Sequence, residues 1–284
     1  MYIGRFAPSP TGPLHMGSLV AAVASWLAAR AAGGRWLVRM EDIDTPRVVP
    51  GSAAEILAAL ERYGLECDGE IEWQSRRTAL YEEALRQLRL RDLVYDCGCS
   101  RAELQRAPSA PTGAESVYPG TCREGLPPGK VARAIRFRAP DTVIGFDDRF
   151  MGRYEENVAR TTGDFVVRRA DGLFAYQLVV VVDDAEQGIT EVIRGADLLT
   201  STPRQIALQE ALGYPSVQYG HVPLVLNPDG SKLGKRDGAL PLPQLDAKQI
   251  RETLVRALRH LGLAVGEDEP RAMLAHALAL WSGK

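Results

Sequence analysis

Apolar positions near the start of the chain fall into a short run, a long run and another short run. Tyr2–Ala7 predicts a buried strand, and the alanine-rich segment Leu19–Ala32 predicts a helix stopped by Gly33-Gly34. Trp36–Met40 predicts a second strand. A strand–helix–strand unit of this kind predicts a parallel sheet, with its ligand at the carboxyl ends of the strands, where Glu41 falls. Ala53–Tyr63 and Thr78–Arg91 repeat apolar residues at helical spacing and predict amphipathic helices.

The pattern then breaks. Residues 100–130 are rich in Pro, Gly, Ser and Arg, with little periodicity, and Val131–Phe137 and Phe165–Arg169 predict strands on either side of charged turns such as Asp147-Asp148-Arg149. Leu173–Asp183, centred on Val179–Val182, predicts a fully buried parallel strand. Thr202–Leu212 predicts a helix with Thr202 as cap and Pro203 at its first position. Gln218–Leu226 predicts a strand, and Ile250–Leu261 and Ala272–Leu280 predict helices. Arg251–Leu263 is amphipathic in a way that suits core packing better than a membrane surface. The expected architecture is α/β, with residues 1–95 and 173–240 as two halves of one sheet domain. Residues 96–172 form an insertion between them, and 241–284 a C-terminal helical segment.

At 284 residues, 45% hydrophobic and 25% charged, the chain has the composition of a globular protein. Its net charge of −2 announces no nucleic-acid partner, so any RNA contact must use local arginine clusters such as Arg133, Arg136, Arg138 or Arg168, Arg169. No basic–apolar leader opens the chain, and the apolar run at 19–32 is too short to span a membrane, which predicts a cytoplasmic protein with no membrane partner. Four cysteines (Cys67, Cys97, Cys99, Cys122) in such a chain predict thiols or a metal site rather than disulfides.

Two stretches carry candidate nucleotide chemistry. Arg5–Ser18 reads Arg-Phe-Ala-Pro-Ser-Pro-Thr-Gly-Pro-Leu-His-Met-Gly-Ser, a stiff proline-rich connection that delivers His15 and Gly17 to a helix entrance. Unpaired N–H groups there suit phosphate, and a glycine lets a nucleotide approach the backbone. Residues 227–237 read Asn-Pro-Asp-Gly-Ser-Lys-Leu-Gly-Lys-Arg-Asp, a glycine-rich loop that sets Lys232 and Lys235 against polyphosphate. Read alone, each is equally an ordinary loop. Together they resemble the paired motifs His-Ile-Gly-His and Lys-Met-Ser-Lys-Ser of the class I aminoacyl-tRNA synthetases. With Met40-Glu41-Asp42-Ile43-Asp44, the first stretch resembles the glutamyl branch of that family. The departures are Met16, Ser18, Leu233, Gly234 and Arg236; Ser18 replaces a motif histidine and Gly234 a motif serine.

The resemblance implies a Rossmann-like doubly wound catalytic domain with ATP and Mg²⁺ as substrate complex. His15 and Lys235 would act as the catalytic charges on the phosphates, with Gly17, Ser18 and Lys232 in the ATP site. Glutamate carries two carboxylates and one ammonium, and Arg5, Glu41, Tyr176 and Arg194 match it in charge and hydrogen bonding. Phe6, Ala7, Pro8 and Ser9 complete the implied glutamate site. The reaction implied is attack of the glutamate carboxylate on the α-phosphorus of ATP, which needs position and charge rather than a general base.

Cys97, Cys99 and Cys122 lie within 26 residues and suit zinc, with no histidine between His15 and His221 to complete the set. Tyr118, Asp96 or water could supply the fourth ligand. The arrangement resembles the zinc knuckle of the glutamyl-queuosine tRNA(Asp) synthetases, in which a tyrosine completes three cysteines, and the run Arg194–Gln205 agrees. Only 49 residues follow Lys235, so the expectation is a chain without a separate anticodon-binding domain, as in that short group, and working as a monomer. The resemblance implies tRNA-independent glutamate activation and transfer onto the wobble queuosine of tRNA(Asp). Alternatives are a compact glutamyl-tRNA synthetase charging the 3′ end, a small adenylyltransferase, or a non-catalytic paralogue.

Overall fold

The computed structural model describes residues 1–105, 117–226, 242 and 245–281. Its elements in chain order begin with β1 (Ile3–Phe6), α1 (Met16–Ala31), β2 (Arg35–Met40), α2 (Ser52–Arg62), β3 (Glu72–Trp73) and α3 (Thr78–Leu90). There follow β4 (Val94–Cys97), α4 (Arg101–Gln105), β5 (Ala134–Phe137), β6 (Val143–Asp148), β7 (Gly152–Asn157), α5 (Val158–Thr161) and β8 (Phe165–Arg168). The chain closes with α6 (Tyr176–Glu186), β9 (Glu191–Gly195), α7 (Thr202–Leu212), β10 (Gln218–Val222), α8 (Ala247–His260) and α9 (Pro270–Trp281).

β1, β2 and β3 form one parallel sheet, and β9, β10 and β6 form a second, with β7 antiparallel at its edge. The two meet where Thr190 donates its N–H to the Ile3 carbonyl at 2.9 Å, setting β9 beside β1. The carboxyl ends of β1, β2, β9 and β10 therefore open on one side, as a parallel sheet requires of a ligand site. β4, β5 and β8 form a separate antiparallel sheet. Residues 143–157, inside the 96–172 stretch, are the β6–β7 hairpin and pair with the main sheet through β10.

α1 is buried on nearly every side: Leu19, Val20, Ala22, Val23, Ala24 and Leu27 have no exposed surface. The sheet covers one side, and Leu254, Ala257 and Leu258 of α8 with Met273 and Ala277 of α9 share its core. The turn after it needs Gly34, because a Cβ there would lie 2.3 Å from the Tyr2 carbonyl oxygen.

Three expectations are corrected. Leu173–Asp183 is not a strand; Tyr176–Glu186 is a helix, with Val179 to Val182 all buried between neighbouring elements. An apolar run buried all round has no periodicity by which strand and helix can be told apart. Thr202 is the first residue of α7 rather than its cap, which is Ser201. Arg136 is not part of an exposed basic surface: on β5, Ile135 and Phe137 face the core, and Arg136 is buried on the opposite face against Cys97 and Asp164.

Candidate active site

The loop after β1 is pinned to the sheet by the Glu41 N–H, which donates to the Pro8 carbonyl at 3.0 Å. Its far end is held by Ser52, whose hydroxyl donates to the Gly12 carbonyl at 2.7 Å and accepts the Gly12 N–H at 3.1 Å. His15 then caps α1: its Nδ1 accepts the Ser18 N–H at 3.3 Å, and its Nε2 lies 3.2 Å from the Ser18 hydroxyl. Gly17 lies under this ring, and a Cβ there would meet it at 3.3 Å. Ser18 thus orients His15 from within the first turn of the helix.

A cavity of about 340 Å³ opens beside this helix end. Arg5, Phe6, Ala7, Pro8, Ser9, His15, Gly17, Ser18, Glu41, Tyr176 and Arg194 all line it. The sequence places these residues in four separate segments, and the fold brings them to one wall. Lys232 and Lys235 lie outside the described residues.

Behind the wall is a buried ionic network that local sequence did not announce. Arg5 donates through Nε and NH2 to the two oxygens of Asp184, at 3.2 and 3.3 Å. Arg39, with no exposed surface, donates to Asp184 at 2.8 Å, to Gln187 at 2.5 Å and to Glu41 at 3.5 Å. Asp183 turns the other way, accepting from Arg77 at 2.7 Å, Gln74 at 2.9 Å and Tyr81 at 2.9 Å. Adjacent positions on a helix point about 100° apart, so α6 sends Asp184 to Arg5 and Arg39 and Asp183 to Gln74, Arg77 and Tyr81, with Arg39 Nε also 3.5 Å from Asp183. The signal was the pair Asp183-Asp184 closing an apolar run, since carboxylates so placed need cationic partners.

Burial pushes the Glu41 carboxyl up to about 7, against the lowering effect of Arg39 and Arg5. A cation entering the cavity would restore its charge. Arg194 donates NH1 to the Tyr176 hydroxyl at 3.2 Å, NH2 to the Thr202 hydroxyl at 2.9 Å and Nε to His221 Nε2 at 3.0 Å. In both Arg5 and Arg194 the Nε–NH2 edge is held by protein. At Arg5 the end of the fork, NH1 and the outer N–H of NH2, is the part left to meet a planar anion, whereas at Arg194 NH1 is shared with the Tyr176 hydroxyl.

Beside the antiparallel sheet, where β4 ends at Cys97, the sulfurs of Cys97, Cys99 and Cys122 all lie within 4.8 Å of one another. The Tyr118 hydroxyl is 3.6 Å from Cys97 Sγ and 3.9 Å from Cys99 Sγ, and accepts the Cys122 N–H at 2.9 Å. Burial would raise the Cys97 thiol, but the Cys99 N–H and Arg136 outweigh it and hold it below its usual value. Burial carries Cys99 up to about 11. Three soft sulfurs and a phenol oxygen converging on one point fit a tetrahedral zinc site. Cys67 is a free, partly buried thiol that packs against the main core instead.

A parallel sheet with a histidine-capped helix beside a cavity lined by Arg5, Arg194, Glu41 and Asp197 is the frame of an amino-acid-activating enzyme. The chain belongs to the class I tRNA synthetases (E and Q), whose catalytic domain matches residues 3–272. It is 59% identical over 260 residues to the glutamyl-Q tRNA(Asp) synthetase of Thiobacillus denitrificans, covering 92% of this chain and 85% of that protein. It is 56% identical over 280 residues to the protein of the same name from Geobacter sulfurreducens, covering 97% and 87%. Among solved structures it is similar to a glutamate tRNA ligase from Elizabethkingia meningosepticum in complex with its amino acid, with a TM-score of 0.74 and 34% identity. That match covers 84% of this chain and 52% of the ligase, so the chain spans about half of its length. Among the described residues no helix is long and apolar enough to cross a membrane.

Proposed function

We propose that this protein joins L-glutamate to ATP, with Mg²⁺, forming glutamyl-adenylate without tRNA, and then transfers the glutamate to queuosine at the wobble position of tRNA(Asp). The observation that carries the reading is the set of charged groups on the cavity: Arg5 and Arg194 match two carboxylates, and Glu41 matches one ammonium, with Asp197 also on the lining. The relatives' names supply the acceptor.

In the first step a carboxylate oxygen of glutamate bonds to the α-phosphorus, the bond to the bridging oxygen breaks, and pyrophosphate leaves. The attacking carboxylate is already ionised, so no base is required. His15 at the head of α1, with Lys235 and Lys232 from the lysine loop, offsets the charge that gathers on the phosphates. Gly17 and Ser18 give the nucleotide its backbone approach. In the second step a hydroxyl of the queuosine diol attacks the glutamyl carbonyl and AMP leaves. Cys97, Cys99, Cys122 and Tyr118 would hold one structural zinc, tying the antiparallel sheet to the loop after it. Such a protein works in the cytoplasm, where its tRNA is.

The test is charging with labelled glutamate on queuosine-containing tRNA(Asp), unmodified tRNA(Asp) and tRNA(Glu), followed by nuclease mapping. Label in the anticodon-loop fragment of the queuosine tRNA alone is the expected result. Label on the terminal adenosine of tRNA(Glu) would make the protein a short glutamyl-tRNA synthetase instead.

A further inference from the structure

Arg194 lies on β9, and its register partner on β10 is His221; on the far side of β10, Asp148 of β6 pairs with Tyr219. Three neighbouring strands thus carry an aligned chain of side chains, Asp148–His221–Arg194. Asp148 Oδ2 lies 2.5 Å from His221 Nδ1, and His221 Nε2 lies 3.0 Å from Arg194 Nε. Arginine has only donors, so Nε2 must be the acceptor. The imidazole is therefore neutral, with its proton on Nδ1 and donated to Asp148. The Thr202 hydroxyl closes the figure, accepting from Arg194 NH2 at 2.9 Å and lying 3.2 Å from the same Nε2.

The charges differ from those around Arg5. Arg5 and Arg39 share the carboxylate of Asp184. Among the described residues no carboxylate lies within ion-pair distance of Arg194; its three acceptors are an imidazole, an alcohol and a phenol. Asp148 stands one ring away, with Oδ1 accepting the N–H groups of His221, Phe150 and Met151, each at 3.0 Å. The guanidinium is thus aimed by three hydrogen bonds and, among the described residues, not neutralised by a contacting carboxylate. A cation in that state gains most from a ligand that brings its own negative charge, and leaves a neutral analogue with an unpaired buried charge to satisfy.

We propose that Asp148, His221 and Thr202 are positioning residues that hold Arg194 oriented and un-neutralised, and that this arrangement sets the preference for glutamate over its amide, glutamine. The inference rests on the reading that Arg194 meets the side-chain carboxylate of the substrate, the group in which glutamate and glutamine differ. Hydrogen bonding of Asp148 to His221 also joins β6 to β10, so the test must separate aiming from mere stability.

The experiment measures amino-acid-dependent pyrophosphate exchange by the full chain, as wild type, His221→Leu, His221→Gln and Thr202→Val. His221→Leu and Thr202→Val should raise the glutamate KM about 10- to 100-fold, the range for a lost hydrogen bond to a charged group. The ATP KM should stay within about twofold, because these residues act on the amino-acid carboxylate only. The ratio of kcat/KM for glutamate over glutamine should fall in parallel. His221→Gln places an amide oxygen near the position of Nε2 and should recover most of both losses. Glutamate and ATP KM values rising together, or an unchanged glutamate-to-glutamine ratio in a variant that melts cooperatively, would overturn the proposal. If His221→Leu does not fold, the near-isosteric Thr202→Val decides alone. If the wild type shows no glutamate-dependent exchange, the functional reading fails, and calorimetric Kd values for glutamate and glutamine make the same comparison among the variants.

Discussion

The guanidinium carbon of Arg136 lies over the ring of Tyr118, 3.8 Å from its centroid, while its Nε donates to Cys97 Sγ at 3.3 Å. Its NH1 donates to the Asp164 carbonyl at 2.6 Å, and among the described residues no carboxylate forms an ion pair with it. A buried cation of this kind needs an anion beside it. Three thiolates around one Zn²⁺ carry a net negative charge, which Arg136 would offset.

One zinc per chain is therefore expected on metal analysis of protein purified without chelator, and little in Cys99→Ser. Arg136→Met should keep the ligands but release zinc to a chelator about 10–100-fold more readily, the usual cost of losing an outer partner of a metal site. Wild-type protein without zinc would contradict the assignment.

With Glu41 as the proposed partner of the substrate ammonium, glutamate use is expected to depend on pH. Its carboxyl sits at about 7 in the free protein because burial opposes its charge. The substrate ammonium needs the ionised form, so protonation at lower pH competes with binding. kcat/KM for glutamate should rise roughly tenfold per pH unit up to about 7 and then level off. Glu41→Gln should be slow at every pH and lose that limb. A wild-type profile flat between pH 5.5 and about 7.5 would remove Glu41 from the ammonium site.

Lys235→Ala should slow adenylate formation by about 10²–10³ with little change in the glutamate KM, because its charge matters most as pyrophosphate departs. Arg194→Ala should instead raise the glutamate requirement most. Rapid-quench rates and glutamate titrations of both variants make the comparison; equal effects on both parameters would refute the division of roles.

Pyrophosphate exchange into ATP should appear with glutamate alone. Arg5, Glu41 and Arg194 are each already bonded to framework residues, so RNA has no ordering left to supply at the amino-acid pocket. Exchange seen only after tRNA is added would show that the pocket is completed by RNA.

Local pattern was enough for much of this. The apolar run of α1 between two strand segments, the proline-rich loop ending at His15 and the spacing of Cys97, Cys99, Tyr118 and Cys122 are short-range features. Turn chemistry, capping and ligand spacing act over a few residues, so a single stretch carries them. Placing Arg5, Glu41, Tyr176 and Arg194 together rested on the resemblance of their segments to the glutamyl branch, with the charges of one substrate in agreement. What stayed hidden depended on partners far away in the chain. Val179–Val182 is equally apolar as strand or helix, and only packing against α3, α7 and β8 makes it α6. That choice sends Asp184 to Arg5, 179 positions away. Asp147-Asp148-Arg149 reads as a solvated turn, yet the pairing of β6 with β10 buries Asp148 beneath His221, 73 positions on. Arg136 looks like part of a basic surface until the face of β5 opposite the core closes over it. A charge declares its role through the counter-charge or acceptor it meets in a low-dielectric interior, and long-range strand pairing selects that partner.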